Sequence, residues 1–401
     1  MRRGILSTFL VVALVFGAIA PAAAGTAWKR RLDRMVRGKN IGVSVSDGGR
    51  TLYARATKVR RTPASNQKLL LTMALLDRME PGTRFETRLM AHAPVNGVVK
   101  GNLYVVGGGD PTVTDGGAKL PFKPTRLRAL AHKLRSAGVR RIGGAIVGST
   151  RYFRRDWWAP GWKSDFPDRW IPRPTALSYD GNTVRGRHIR DPERRVAGAL
   201  RSLLRDRGIS VKGGARAGRI RNQSRVVEVA EVRSRPLRVL LQYMNRHSSN
   251  FFAEVLGKRL AVERWGPRGS IKKAARAISS FAASRNVGVT ARDASGLSYH
   301  NSISTKGMAR LLAYAETQEW GDDLRDLLPS GGEGTLDKRL HGVPVRAKTG
   351  TLNSVSALSG WVWLNRTRSW AEFSIMSRGM YDSTAKSLED RIVRLLNERA
   401  R

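Results

Sequence analysis

Residues 41–46 (Ile-Gly-Val-Ser-Val-Ser) alternate apolar with small or polar side chains, and residues 51–57 alternate again after Asp47-Gly48-Gly49-Arg50. Period-two patterning on both sides of a Gly-rich turn predicts a β-hairpin. Directly after Pro63-Ala64-Ser65, residues 66–78 place Leu69, Leu70, Met73, Leu75 and Leu76 on one broad apolar face, which predicts a helix. From about Arg84 the texture changes to short strands and Gly/Pro-rich loops, among them Gly107-Gly108-Gly109-Asp110-Pro111. Helical patterns over 125–137 and 194–207 are interleaved there with strand patterns over 142–147 and 225–232. A proline-broken stretch between them holds Trp157, Trp158, Trp162 and Trp170, whose expected place is packing within this middle segment. From Pro236 onward helices dominate, over 237–246, 251–262 and 270–284. After Lys348 strands return, over 355–364 and 370–377, turned at Asn365-Arg366-Thr367-Arg368. A helix over 385–399 closes the chain.

The two ends therefore read as one α/β (α+β) unit, an antiparallel sheet flanked by helices, formed by residues 25–84 and 236–401. The middle, residues 85–235, reads as an inserted mixed α/β domain. The first 24 residues fit neither. A basic start (Arg2, Arg3), an uncharged stretch from Ile5 to Ala20 and the small-residue run Ala22-Ala23-Ala24 predict an export signal peptide. Retention of that stretch as a membrane anchor is the alternative. Export places the chain in a periplasm, at a cell wall or outside the cell.

Composition narrows the chemistry. With 41% hydrophobic and 26% charged residues over 401 positions, the chain has enough apolar material for a core and is not a disordered polymer. It has no Cys, which excludes disulfides, a thiol nucleophile and thiolate metal sites. The formal charge of +42 predicts anionic surroundings. Its cations are scattered, with no basic helix and no zinc-finger spacing, so specific nucleic-acid recognition is not expected. Anionic wall polymers or lipid headgroups are the partners an exported cation would meet.

Three short motifs stand in order: Ser65-Asn66-Gln67-Lys68, Ser248-Ser249-Asn250 and Lys348-Thr349-Gly350-Thr351. Ser-x-x-Lys and Ser-x-Asn each arise about once by chance in a chain of this composition, and copies do occur at Ser270/Lys273, Ser383/Lys386 and Ser284/Asn286. Lys-Thr-Gly is rarer and occurs once. Position separates the copies, because only Ser65 sits at a loop-to-helix junction after a hairpin. A Ser and a Lys three apart on a helix share a face. The helix N-terminus favours a developing alkoxide at Ser65. A lysine base needs its pKa lowered by about three units, which burial and a second cation, Lys348, would supply.

These motifs, together with Gly107-Gly108-Gly109-Asp110-Pro111-Thr112, Phe251-Phe252-Ala253-Glu254, Asp293-Ala294-Ser295-Gly296-Leu297-Ser298 and Leu328-Pro329-Ser330-Gly331-Gly332, resemble the low-molecular-mass class C penicillin-binding proteins. That is the D-Ala-D-Ala carboxypeptidase/endopeptidase group, and the resemblance covers the chain beyond the leader. It implies a β-lactamase/transpeptidase-like fold and a serine peptidase acting on peptidoglycan stem peptides, with β-lactam antibiotics as inhibitors and no cofactor or metal. Carried over residue by residue, it implies Ser65 as nucleophile, Lys68 as base, Ser248 as proton relay and Asn250 as a partner of the peptide amide. Lys348, Thr349, Gly350 and Thr351 would receive the terminal carboxylate. The middle residue of the second motif departs from the family's frequent acid and is Ser249.

Two rival readings stand beside this one. A β-lactamase of the same fold would need a deacylating base, and no loop presents an obvious Glu. A wall-binding protein with lapsed catalysis would use the positive charge and the Trp cluster, but would be expected to have lost the motif residues. Gly-x-Ser-x-Gly and His-Glu-x-x-His are both missing from the sequence, and the six His are dispersed.

Overall fold

The computed structural model describes residues 22–220 and 223–400. The expected signal peptide lies outside the described residues except for its last three, which open a helix over Ala22–Val36.

The first and last parts of the chain share one five-stranded antiparallel sheet. Its strands run in the order Val345–Leu352, Val355–Leu364, Ser369–Arg378, Ile41–Asp47, Arg50–Arg55. The hairpin expected at 41–57 is there, and it joins the C-terminal hairpin through Ile41–Asp47 against Ser369–Arg378. One face of the sheet packs Val43, Phe373 and Leu358 against Trp28 and Leu32 of the first helix and Leu388 and Ile392 of the last, Asp382–Arg399. Both faces of these central strands are buried, which is why Val355–Leu364 reads as an almost continuous apolar run rather than an alternating one.

The second face carries the helical half of the unit. The helix after Ser65, Gln67–Leu76, is buried at all ten positions. It is buried on every side because helices Leu237–Arg246, Asn250–Trp265 and Ile271–Ala283 pack around it, and apart from Gln67, Lys68 and Thr72 its side chains are apolar. Two of the chance motif copies have plain roles in this half. Ser270 caps the helix Ile271–Ala283 by accepting from the Lys273 N–H, and Ser284 sits at that helix's end.

Residues 86–233 form a second sheet. Its strand order is Ala215–Gly218, Ile146–Ser149, Leu103–Gly107, Glu86–Ala91, Val227–Arg233, parallel across the first two pairs and antiparallel across the others. Helices Leu127–Ser136 and Pro192–Arg205 cover it, and the core they enclose (Leu103, Val105, Leu130, Ile146, Leu200) is separate from the cores on the two faces of the first sheet. The Gly-rich run 107–109 is structural. A Cβ on Gly107 would lie 2.1 Å from the Ala176 carbonyl, and Asp110 folds back to accept from the Thr112 and Thr125 hydroxyls at 2.6 and 2.5 Å.

The Trp-rich segment does not stay within this second sheet. Trp162 is buried against Ile271 and Leu297 of the unit built on the first sheet, and its Nε1 donates to Asp293 at 2.7 Å. Packing within the insertion, the sequence expectation, is corrected here for Trp162. Lys258 makes a second lock. It is fully buried on the helix Asn250–Trp265, pairs with Asp156 at 2.7 Å and donates to the carbonyls of Arg154, Asp156 and Pro174, with Trp157 stacked on it. Lys258→Ala leaves those acceptors without a donor and is expected to lower unfolding stability by about 3 kcal/mol, read from urea midpoints at unchanged slope. A midpoint equal to wild type would show that the segment is held by other contacts.

Candidate active site

Ser65 lies in a single 3₁₀ turn, Ala64–Asn66, that runs straight into the buried helix Gln67–Leu76. The residue before it, Ala64, has φ +46°, a left-handed conformation that a non-glycine residue adopts only under constraint. Neighbours impose it. Gly296 presses so closely that a Cβ there would sit 2.0 Å from the Ala64 carbonyl oxygen. Asn66 donates to Ser359 at 2.9 Å, which ties the turn to the sheet.

One helical turn on, Lys68 is fully buried and its Nζ donates to three acceptors: Ser65 Oγ at 3.0 Å, Asn250 Oδ1 at 2.9 Å and the Ser295 carbonyl at 2.5 Å. An ammonium satisfies all three. The neutral amine keeps two donors and turns a lone pair toward the serine hydroxyl. Burial lowers the Lys68 pKa to about 7, against an opposing pull from the carboxylates of Asp293 and Glu254. The expected contribution of Lys348 acts in the other direction. Burial drives Lys348 well below the ordinary lysine value, and Lys68 adds to that depression.

Lys348 stands on the edge strand Val345–Leu352, fully buried, and donates to Ser248 Oγ at 3.0 Å and to the Thr349 carbonyl at 2.8 Å. Ser248 itself has φ +52°, a second left-handed non-glycine residue in the motif region after Ala64. Ser249, where the family often has an acid, caps the helix Asn250–Trp265 by accepting from the Phe252 N–H. The cap keeps Asn250 at the first turn, where its Oδ1 meets Lys68 and its Nδ2 donates to the Trp170 carbonyl at 3.3 Å. The insertion thus reaches the site through a backbone oxygen.

Gly350 faces the turn that holds Ser65. A Cβ there would be 2.7 Å from the Pro63 carbonyl and 3.0 Å from the Ser65 nitrogen. Thr349 donates to Thr335 at 2.8 Å. Ser65, Ser248, Thr335, Thr349, Gly350 and Thr351 all open onto one cavity of about 420 Å³, with Lys338, Arg339 and Lys386 further along its wall. Every residue singled out by the three motifs is therefore brought to one place, from four separate elements.

Four residues outside the motifs belong to the same network: Glu254, Asp293, Ser295 and Thr335. The sequence marks Glu254, Asp293 and Ser295 only as members of signature runs, says nothing of their contacts, and does not single out Thr335. Asp293 is buried and accepts from Gly296 N, Ser298 N, Asn301 Nδ2 and Trp162 Nε1, which folds the 293–301 loop onto the lysine.

Comparison with known proteins identifies the family. The family model for the D-Ala-D-Ala carboxypeptidase 3 (S13) family matches residues 29–188 and 183–399. The chain is 29% identical over 348 residues to Carboxypeptidase DacB of Mycolicibacterium smegmatis, covering 80% of this chain and 72% of that protein. It is 26% identical to the D-alanyl-D-alanine carboxypeptidase of Actinomadura sp. (strain R39), covering 92% of this chain and 83% of the other. Its fold is similar to that of penicillin binding protein 4 from Haemophilus influenzae, with a TM-score of 0.79 at 21% identity over 92% of this chain and 99% of that one. A fold that places a buried lysine against a serine at a helix start, and family matches that run through both halves of the chain, lead to one assignment: the protein belongs to the D-Ala-D-Ala carboxypeptidase 3 (S13) family.

Proposed function

We propose that Ser65 is the nucleophile of a serine-type D-Ala-D-Ala carboxypeptidase that trims peptidoglycan stem peptides, with Lys68 as its base. The observation that carries this reading is the 3.0 Å contact between Lys68 Nζ and Ser65 Oγ in a fully buried setting that lets the amine be neutral near pH 7.

In this mechanism neutral Lys68 takes the Ser65 proton as Oγ attacks the carbonyl between the two terminal D-alanines. The N–H groups of Ser65 and Thr351 receive the oxyanion, a donor of this kind contributing about 3 kcal/mol to the barrier. Ser248 is held by Lys348 and passes a proton to the leaving amine, after which D-alanine departs. Thr349, Thr351 and Lys348 hold the substrate's terminal carboxylate, and Gly350 leaves room for the peptide chain. Asn250 orients the peptide amide on the far side of Ser65. Water then attacks the acyl-enzyme. A β-lactam offers a carbonyl and a carboxylate in the same relation and acylates the same serine.

Residues 85–235 act as an inserted domain whose Trp-rich segment touches the site through the Trp170 carbonyl, which accepts from Asn250 Nδ2. The chain is exported, and its +42 charge suits adsorption to anionic wall polymer or lipid headgroups. No helix among the described residues is long and apolar enough to cross a membrane.

The test is the pH dependence of acylation. Lys68 has its pKa lowered from 10.5 to about 7, so its basic form accumulates as pH rises through 7. The second-order rate constant for benzylpenicillin should therefore rise about tenfold per pH unit below that point and level above it. A rate independent of pH between 5 and 9 would contradict Lys68 as the base.

A further inference from the structure

Glu254 lies one helical turn beyond Asn250, on the face of the helix Asn250–Trp265 that is turned toward the 293–301 loop. It is fully buried. Its Oε1 accepts from two consecutive backbone N–H groups, Ala294 at 2.9 Å and Ser295 at 2.8 Å. Its Oε2 has no hydrogen-bond partner among the described residues. The same Ser295 whose N–H is held by Glu254 turns its carbonyl onto Lys68 Nζ at 2.5 Å. A short covalent path therefore joins the carboxylate to one of the three acceptors of the base. The helix and the loop are in close contact here, since a Cβ on Gly257 would lie 2.6 Å from Ala294 Cβ. Nothing in the peptidase mechanism uses this buried acid.

We propose that Glu254 is a positioning residue for the base, fixing the Ser295 carbonyl against Lys68 Nζ through the Ala294 and Ser295 amides and supplying a negative charge that faces the lysine. The inference rests on Lys68 being the base in the mechanism above. Geometry and charge act together. Without the two N–H acceptors the loop loses its tie to the asparagine helix. Without the charge, the ammonium form of Lys68 loses part of its stabilisation, because Asp293 and Glu254 are the groups that raise its pKa against burial.

The charged groups around the pair come from four elements. Lys68 is on the serine helix, Lys258 is one turn further along the Glu254 helix, Asp293 is in the loop, and Lys348 is on the edge strand beyond Lys68. Burial and Asp293 push the Glu254 carboxyl up to about 7, so its charge is present on the alkaline side of neutrality. Replacing the ionised carboxylate by a neutral amide removes a group that raises the Lys68 pKa. The sign follows: the upper part of the rising limb, near and above pH 7 where the carboxylate is charged, moves to lower pH, while the foot of the limb, where Glu254 is already neutral, stays in place.

The experiment compares wild type, Glu254→Gln and Glu254→Ala as purified proteins, with benzylpenicillin acylation rates measured from pH 5 to 10. Glutamine keeps a carbonyl acceptor for the two amides and drops the charge. Its plateau should stay within about threefold of wild type, while the approach to that plateau near and above pH 7 moves to lower pH and the foot of the limb coincides with wild type. Alanine removes the acceptor as well, and its plateau should fall by about 30-fold or more. A Glu254→Gln limb that coincides with wild type near and above pH 7 as well overturns the proposal, as does a Glu254→Ala plateau equal to wild type. A folded Glu254→Gln protein as slow as the alanine variant also overturns it, since the retained acceptor would then do nothing. If Glu254→Ala does not fold, the limb of Glu254→Gln still decides. A wild-type protein that is not acylated at any pH would instead defeat the assignment of Ser65 and Lys68.

Discussion

Lys68→Ala is expected to slow acylation of Ser65 by about a thousandfold while the protein keeps its fold, the loss typical of a removed general base. Lys68 donates to Ser65, Asn250 and Ser295 at once, so its removal takes away both the proton acceptor and the link between three elements. Stability should not fall in proportion. Unlike Lys258, which is salt-bridged to Asp156, Lys68 donates only to neutral acceptors and is close to neutral at pH 7, so alanine breaks no ion pair and also removes the cost of burying a cation. Circular dichroism and a urea midpoint near wild type, beside a collapsed rate of fluorescent-penicillin labelling, form the expected pair of results. A variant that labels at the wild-type rate would remove Lys68 from the chemistry.

Gly350→Ala should have an effect of similar size for a different reason. The added methyl would lie 2.7 Å from the Pro63 carbonyl and 3.0 Å from the Ser65 nitrogen, and both of those are backbone atoms. The edge strand and the nucleophile turn must therefore move apart. The Ser65 N–H is a proposed oxyanion donor, and misplacing one such donor costs about a hundredfold in rate. The expected outcome is that loss in both penicillin acylation and hydrolysis of a D-Ala-D-Ala peptide, with thermal stability lowered because the turn is also tied to the sheet through Asn66 and Ser359. Unchanged kinetics would mean that the strand does not set the oxyanion geometry.

Much of this arrangement can be read from the residues. Period-two patterning and the turn at Asp47–Arg50 are enough for the N-terminal hairpin, whose register joins Ile41 to Ser377 in the final sheet. Three motifs in order, with one serine at a loop-to-helix junction, suffice to gather Ser65, Lys68, Ser248, Asn250 and Lys348. Other features resist such a reading because they are relations between distant backbones. The strands Glu86–Ala91 and Leu103–Gly107 are short and partly polar, and their pairing partners come from as far away as Val227–Arg233. Trp162 lies in the middle of the insertion but donates to Asp293, 131 residues later. No local pattern encodes that contact.

The electrostatics were legible only in outline. Two lysines in the first and third motifs imply mutual depression of their pKa values, yet the structure divides the effect unequally. Burial dominates at both, two carboxylates raise Lys68, and the lysine–lysine repulsion falls on Lys348. Those carboxylates are Glu254 and Asp293, which a sequence reader meets as helix and loop residues with no stated task. Their importance depends on backbone N–H groups that they accept from, and a residue string does not display such groups.

The account stands or falls on a covalent bond at Ser65. Intact-protein mass spectrometry after incubation with benzylpenicillin, on wild type and Ser65→Ala in parallel, tests it most directly. The prediction is a single adduct of one penicillin mass on wild type, mapped to the peptide holding Ser65 and missing from the folded variant. An adduct retained by folded Ser65→Ala, or a folded wild-type protein that neither forms an adduct nor consumes penicillin, would contradict it.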